Sequence, residues 1–178
     1  MIKLTGKEIP AEIEKQRGQL VDIIADTHHQ FQGKKVAVYG DLDVVISLTE
    51  FVLSMGMEPV HVLTGTPGKE FEETVSEILA DADWEYNVKA GGDLFQLQQW
   101  IKNYPVDLLL GNSYGKLIAK QEELPLVRVG FPILDHSVHS YLPPVGYKGA
   151  MLLIEKISKA LLDRRDRDTD FELMEFVL

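Results

Sequence analysis

No cysteine occurs among the 178 residues of this chain. That absence excludes disulfides, thiolate nucleophiles and any iron–sulfur cluster held by the chain's own thiolates. Also missing is any run of the roughly 20 apolar residues needed to cross a bilayer, and the N-terminal residues mix charged and apolar types in place of a signal-peptide core. Positive charge is scarce, with 18 Lys and Arg against 28 Asp and Glu and a formal net charge of −10. Such a surface repels a phosphate backbone. A soluble, cytoplasmic protein with neither nucleic acid nor membrane as partner is expected.

Three motif absences narrow the chemistry. A dinucleotide fingerprint, Gly-x-Gly-x-x-Gly, is missing where the first strand meets its helix, and that turn reads Gly40-Asp41-Leu42-Asp43. Its two carboxylates sit at the positive helix end that a pyrophosphate would need, and they read as caps. Gly111-Asn112-Ser113-Tyr114-Gly115-Lys116 lacks phosphate-loop spacing, because three residues separate its glycines and Leu117 follows the lysine. A tight turn with a packing glycine is the expectation there, weak anion binding by Ser113, Lys116 and the helix end the alternative. No Gly-x-Ser-x-Gly elbow presents Ser113 as a nucleophile to His136 and Asp135. His136 and His139 stand three apart and read as surface loop in preference to a metal pair.

What is present is a strand–helix alternation. Short apolar runs at 35–39, 59–63, 86–89, 106–110 and 126–129 predict strands, and apolar stripes at 44–55, 70–80, 94–102 and 114–120 predict the helices between them. That alternation means right-handed crossovers and a parallel sheet covered on both faces, a three-layer Rossmann-like α/β fold. The expected strand order is 3-2-1-4-5, with a flavodoxin-like order as the alternative. In the former, Gly40 and Gly111 flank the switch point, and Gly40, Asp41, Gly111, Asn112, Ser113 and Lys116 line a candidate crevice.

Two further helices frame this unit. One spans 11–31 before the first strand, ends at Gly33, and carries Asp22 and Asp26 one turn apart as a candidate hard-cation pair that needs ligands from elsewhere. The other starts at Tyr147, with Tyr147, Met151, Ile154 and Leu161 on one stripe. The alternating charges at 163–168 read as a solvated helix end, and Phe171, Leu173, Phe176, Val177 and Leu178 as an apolar docking tail. The expected division is a helical segment at 1–32, the α/β unit at 33–165 and a tail at 166–178.

Several stretches together resemble one family. They are Leu20-Val21-Asp22 with Asp26-Thr27-His28, Gly33 through Asp41, Gly111 through Lys116, Arg128-Val129-Gly130-Phe131-Pro132, and Val145-Gly146-Tyr147-Lys148-Gly149-Ala150. In order and spacing they resemble the C-terminal domain of the nitrogenase component 1 β chain. Thr64 through Lys69, Gln99-Trp100-Ile101-Lys102 and the ending around Leu161-Leu162-Asp163-Arg164 resemble the vanadium and iron-only variants. The resemblance implies a structural and assembly domain of an oxidoreductase that reduces dinitrogen, with an α chain, a second β chain and a reductase component as partners. It also implies a P-cluster and an iron-containing active-site cofactor held by other segments, no catalytic or cofactor-binding residue here, and a cation at Asp22 and Asp26 shared between β subunits. Leu42, His136 and Pro144 depart from the family's motifs, and loss of Arg at 136 removes a bidentate donor. A free-standing anion-binding module and a scaffold for cofactor assembly are the alternative functions, and both a fragment and a short stand-alone relative fit the sequence.

Overall fold

The computed structural model describes residues 8–169. Helix α1 (Ala11–Phe31) precedes β1 (Lys35–Gly40), α2 (Leu42–Ser54), β2 (Glu58–Thr64), α3 (Lys69–Ile78), β3 (Asn87–Ala90) and α4 (Leu94–Asn103). There follow β4 (Leu108–Gly111), a 3₁₀ turn (Ser113–Gly115), α5 (Lys116–Gln121), β5 (Leu126–Arg128), a second 3₁₀ turn (His139–Tyr141) in the loop after it, and α6 (Gly146–Asp168). The strands form one parallel sheet in the order β3-β2-β1-β4-β5. The three-layer α/β fold and the strand order expected from the sequence are both observed.

Alternation along each strand feeds two separate cores. Val36 and Val38 of β1 with Leu108 and Leu110 of β4 face one core, and Ala37, Tyr39 and Leu109 face the other. The first is covered by α2 and α3 through Val45, Val52, Phe71 and Val75, and by α6 through Ile154 and Ile157. The second is covered by α4 and α5 through Leu97, Ile101 and Ile118. Four consecutive buried residues in β4 are therefore the mark of a strand closed on both faces. The β1–β2 register passes from Val36 opposite Pro59 to Ala37 opposite His61, skipping Val60. That one-residue shift lets Val60 join Leu63 in the second core.

Helix α1 packs on α6, outside the sheet layers proper, where the Ser158 hydroxyl donates to Gln30 Oε1 at 2.6 Å. Gly33, at φ +71°, turns the chain from α1 into β1 as anticipated. The stripe expected on α6 is displaced: its core contacts are Leu153, Ile154, Ile157, Ala160 and Leu161, while Tyr147 and Met151 lie only partly covered. The first turn of the helix lies against the backbone of Pro143 and Pro144. A Cβ on Gly149 would stand 2.8 Å from the Pro144 carbonyl carbon, so only glycine permits this crossing.

The charged end of α6 is also more than a solvated face. Arg164 Nη1 donates to the Asp107 carbonyl at 2.9 Å, while Arg165 and Arg167 stay exposed. The apolar tail expected at 171–178 lies outside the described residues. No helix among the described residues is long and apolar enough to cross a membrane.

Candidate functional site

In an open parallel sheet the crevice lies where neighbouring crossovers part, here between β1 and β4. A crevice of about 330 Å³ opens there, with Tyr39, Gly40, Asp41, Thr66, Asp93 and Asn112 in its walls. Of the residues expected from the sequence, Gly40, Asp41 and Asn112 line it. Gly111 lies behind Tyr39, Ser113 turns toward the loop after β5, and Lys116 is exposed outside the lining.

Tyr39 explains why this turn carries two glycines. A Cβ on Gly111 would stand 2.3 Å from the Tyr39 ring, and one on Gly115 would stand 2.1 Å from its hydroxyl. The ring fills the notch between β4 and the 3₁₀ turn, its hydroxyl donating to the Asn112 carbonyl and accepting the Gly115 N–H at 3.0 Å. Burial pushes this phenol up to about 12, so it remains a donor at neutral pH. The turn's other amides are also engaged, Ser113 N–H with the Pro132 carbonyl at 3.0 Å and Tyr114 N–H with Asn112 Oδ1 at 3.1 Å. The Ser113, Tyr114 and Gly115 amides, which would cradle a phosphate at this turn, are thus spent within the chain. The crevice walls hold the Asp41 and Asp93 carboxylates and no lysine or arginine.

Asp41 occupies the N-cap position of α2, but its side chain makes no capping hydrogen bond; Asp93 does cap α4, accepting from Gln96 N–H at 2.8 Å. Asn112, not Ser113, caps the 3₁₀ turn.

Ser113 belongs to a polar lock. Its hydroxyl donates to Asp135 Oδ1 at 2.7 Å and accepts the Leu134 N–H at 2.9 Å, while Arg128 grips both oxygens of Asp135 at 2.7–2.8 Å. The Arg128 guanidinium and then the Ser113 hydroxyl hold the Asp135 carboxyl at about 2. Serine and carboxylate touch directly, so the Ser113–His136–Asp135 relay that the sequence allows on paper is not assembled. Arg128 supplies the bidentate partner whose loss at position 136 the sequence suggested. An arginine closing one strand and an aspartate seven residues later were the available signal, and nothing in their spacing disclosed the pairing. The lock pins a loop on which Phe131, Leu134, Tyr141 and Val145 are 71–86% exposed.

Asp22 and Asp26 are both exposed on α1. Among the described residues no group of three or more His, Asp or Glu side chains is placed to hold a metal ion, and His136 and His139 fall on an irregular loop and its 3₁₀ turn. With no cysteine in the chain, the donor set does not fit the thiolate-held cluster implied by the resemblance.

A profile for "Nitrogenase component 1 type Oxidoreductase" matches residues 1–162. The chain belongs to that family. It is 49% identical over 174 residues to the nitrogenase molybdenum-iron protein beta chain of Clostridium pasteurianum, covering 96% of this chain and 38% of that protein. It is 44% identical over 171 residues to the corresponding beta chain of Crocosphaera subtropica, covering 94% and 33%. A solved structure described as nitrogenase Cp1 at pH 6.5 superposes with a TM-score of 0.95 at 48% identity, over 99% of this chain and 39% of that one. Another, nitrogenase Cp1 at pH 5, superposes at 0.63 with 11% identity over 89% of this chain, a likeness of fold alone. This nitrogenase-family chain thus spans about two fifths or less of its relatives' length. The two beta chains are molybdenum-iron proteins by name, which corrects the expected likeness to the vanadium and iron-only variants.

Proposed function

We propose that this chain is a structural and assembly domain of a nitrogenase component 1 beta chain, of the molybdenum-iron type in preference to the vanadium or iron-only type. The complex it serves is an oxidoreductase that reduces dinitrogen with electrons from a reductase component. The P-cluster and the iron-containing cofactor belong to segments and subunits other than these residues, with an α chain and a second β chain as partners. The observation that carries this reading is the 48% identity and 0.95 TM-score to nitrogenase Cp1 across 99% of the chain. The loop after β5 supports it, since Phe131 and Leu134, exposed beside the Ser113–Asp135–Arg128 lock, and Tyr141 and Val145 further along, suit packing against sister domains. Asp22 and Asp26 supply half of a cation site, its other ligands coming from another β chain.

Co-expression with the α chain and the remaining segments of a related β chain, followed by size-exclusion chromatography, tests the proposal. Co-elution in one complex is the expected result. A chain that elutes alone while the other segments assemble without it overturns the reading. Retention in the mature complex, as opposed to release after cofactor loading, separates a subunit from an assembly scaffold. The anion-module reading is disfavoured by a crevice with two carboxylates and no cationic side chain in its walls.

A further inference from the structure

Trp84 and Trp100, the two tryptophans of the chain, line one groove. It measures about 520 Å³ and lies at the opposite end of the sheet from the switch point, between the approach to β3 and the last turn of α4. Its other walls include Glu85, Tyr86, Asn87 and Tyr104. That volume falls in the range of small-ligand sites.

The walls are pinned from beneath by His61, which is fully buried. Its Nε2–H donates to the Tyr104 carbonyl at 2.8 Å and its Nδ1 accepts from Asn87 Nδ2 at 3.2 Å. The Trp100 and Tyr104 rings each centre 5.9 Å from the imidazole. Both sides of the groove are therefore tied to one residue of β2. Trp84 contributes its ring alone, since its indole N–H, buried and without a partner among the described residues, is a donor that a cation does not satisfy.

Three features set the ligand class. Aromatic faces carry the negative lobe of the ring quadrupole and attract cations. Glu85 adds a carboxylate, and the groove borders the C-terminal, electronegative end of α4. The same surroundings already hold one cation, since Lys35 Nζ stands 4.3 Å from the centre of the Tyr104 ring. An anion would face Glu85 and a protein of net charge −10.

We propose that this groove takes an organic ammonium group, the head of an alkylated amine or of a modified lysine, against the rings of Trp84 and Trp100 with Glu85 as counter-ion. Because both tryptophans line it, intrinsic fluorescence reads occupancy without a label. The full chain is titrated with choline at constant ionic strength, and in parallel with 3,3-dimethylbutan-1-ol, its uncharged isostere. A saturable change with choline, at a dissociation constant on the order of 1 mM, and none with the alcohol is expected. Glu85→Gln weakens choline about two- to fivefold, and Trp100→Leu abolishes saturation while circular dichroism remains that of the folded chain. A trimethyl-lysine peptide that binds tighter than choline supports a protein-borne ammonium, and the reverse order supports a free amine. An equal response to the alcohol, or no saturable response to choline, overturns the proposal.

Discussion

The hydroxyl of Tyr39 and the amide of Gly115, 76 residues apart in sequence, meet at 3.0 Å inside the switch point of the sheet. The place where this architecture usually admits a ligand is here partly filled by a side chain of the first strand. The two glycines of the Gly111–Lys116 turn are shaped to that ring.

Removing the hydroxyl tests the arrangement. Tyr39→Phe leaves the Asn112 carbonyl and the Gly115 N–H without their partner in a buried site, a loss of about 1–3 kcal/mol. Gly111→Ala is more damaging, because its Cβ would stand 2.5 Å from the Tyr39 carbonyl oxygen, a backbone atom that cannot swing aside. Urea denaturation should show a loss of about 3 kcal/mol or more.

His61 makes stability depend on pH near neutrality. Burial lowers its proton affinity below the ordinary 6.5, so the folded chain takes up this proton later than the unfolded chain as pH falls. The stabilisation is complete above pH 6.5 and is lost as pH drops toward the lower folded value. Thermal midpoints between pH 7.5 and 5 should fall in the parent chain and fall less in His61→Gln, the acid-range slope being the readout.

Asp135 acts in a different range. Held at about 2 by Arg128 and Ser113 against an ordinary 3.8, its contribution is complete above pH 3.8 and disappears as pH falls through about 2. Asp135→Asn frees the loop after β5 at all pH values, and limited proteolysis within residues 130–145 should accelerate several-fold at pH 7 with the sheet intact by circular dichroism.

Arg164 and Arg165 are adjacent yet unequal. Arg164→Met removes a charged donor to the Asp107 carbonyl at 2.9 Å, a loss of about 1–2 kcal/mol. Arg165 is exposed, and Arg165→Met should stay within about 0.5 kcal/mol of the parent. Equal effects of the two substitutions in urea would contradict the clamp.

Asp22→Asn with Asp26→Asn should leave the isolated chain as stable as before within about 0.5 kcal/mol, since both carboxylates are exposed on α1. The consequence belongs to assembly: in the co-expressed complex the double variant should weaken association of β chains, and a chelator should weaken it in the parent but not in the variant. Unfolding of the isolated double variant would instead place these residues in the core packing.

Local pattern made much of this architecture readable. Val36, Val38, Leu108 and Leu110 are apolar because parallel strands are covered on both faces, and Gly33 closes α1 because a chain reversing there needs positive φ. The ends of the elements moved by one or two residues, as with β4, which begins at Leu108, because strand limits depend on the neighbouring strand's register. The α6 stripe holds at Ile154 and Leu161 and gives way at Tyr147 and Met151, near where Pro143 and Pro144 lie against Gly149, and neither proline announces which residue it will meet.

By itself the sequence determined the layered parallel fold, the absence of thiolate chemistry and the family, since periodicity, composition and ordered motifs are properties of residues close together along the chain. Only the tertiary structure decided that Tyr39 fills the switch point, that Arg128 instead of residue 136 secures Asp135, and that His61 ties β2 to both walls of an aromatic groove. Those contacts join residues whose meeting depends on strand order, register and helix rotation, and each of these is selected by the packing of the whole core.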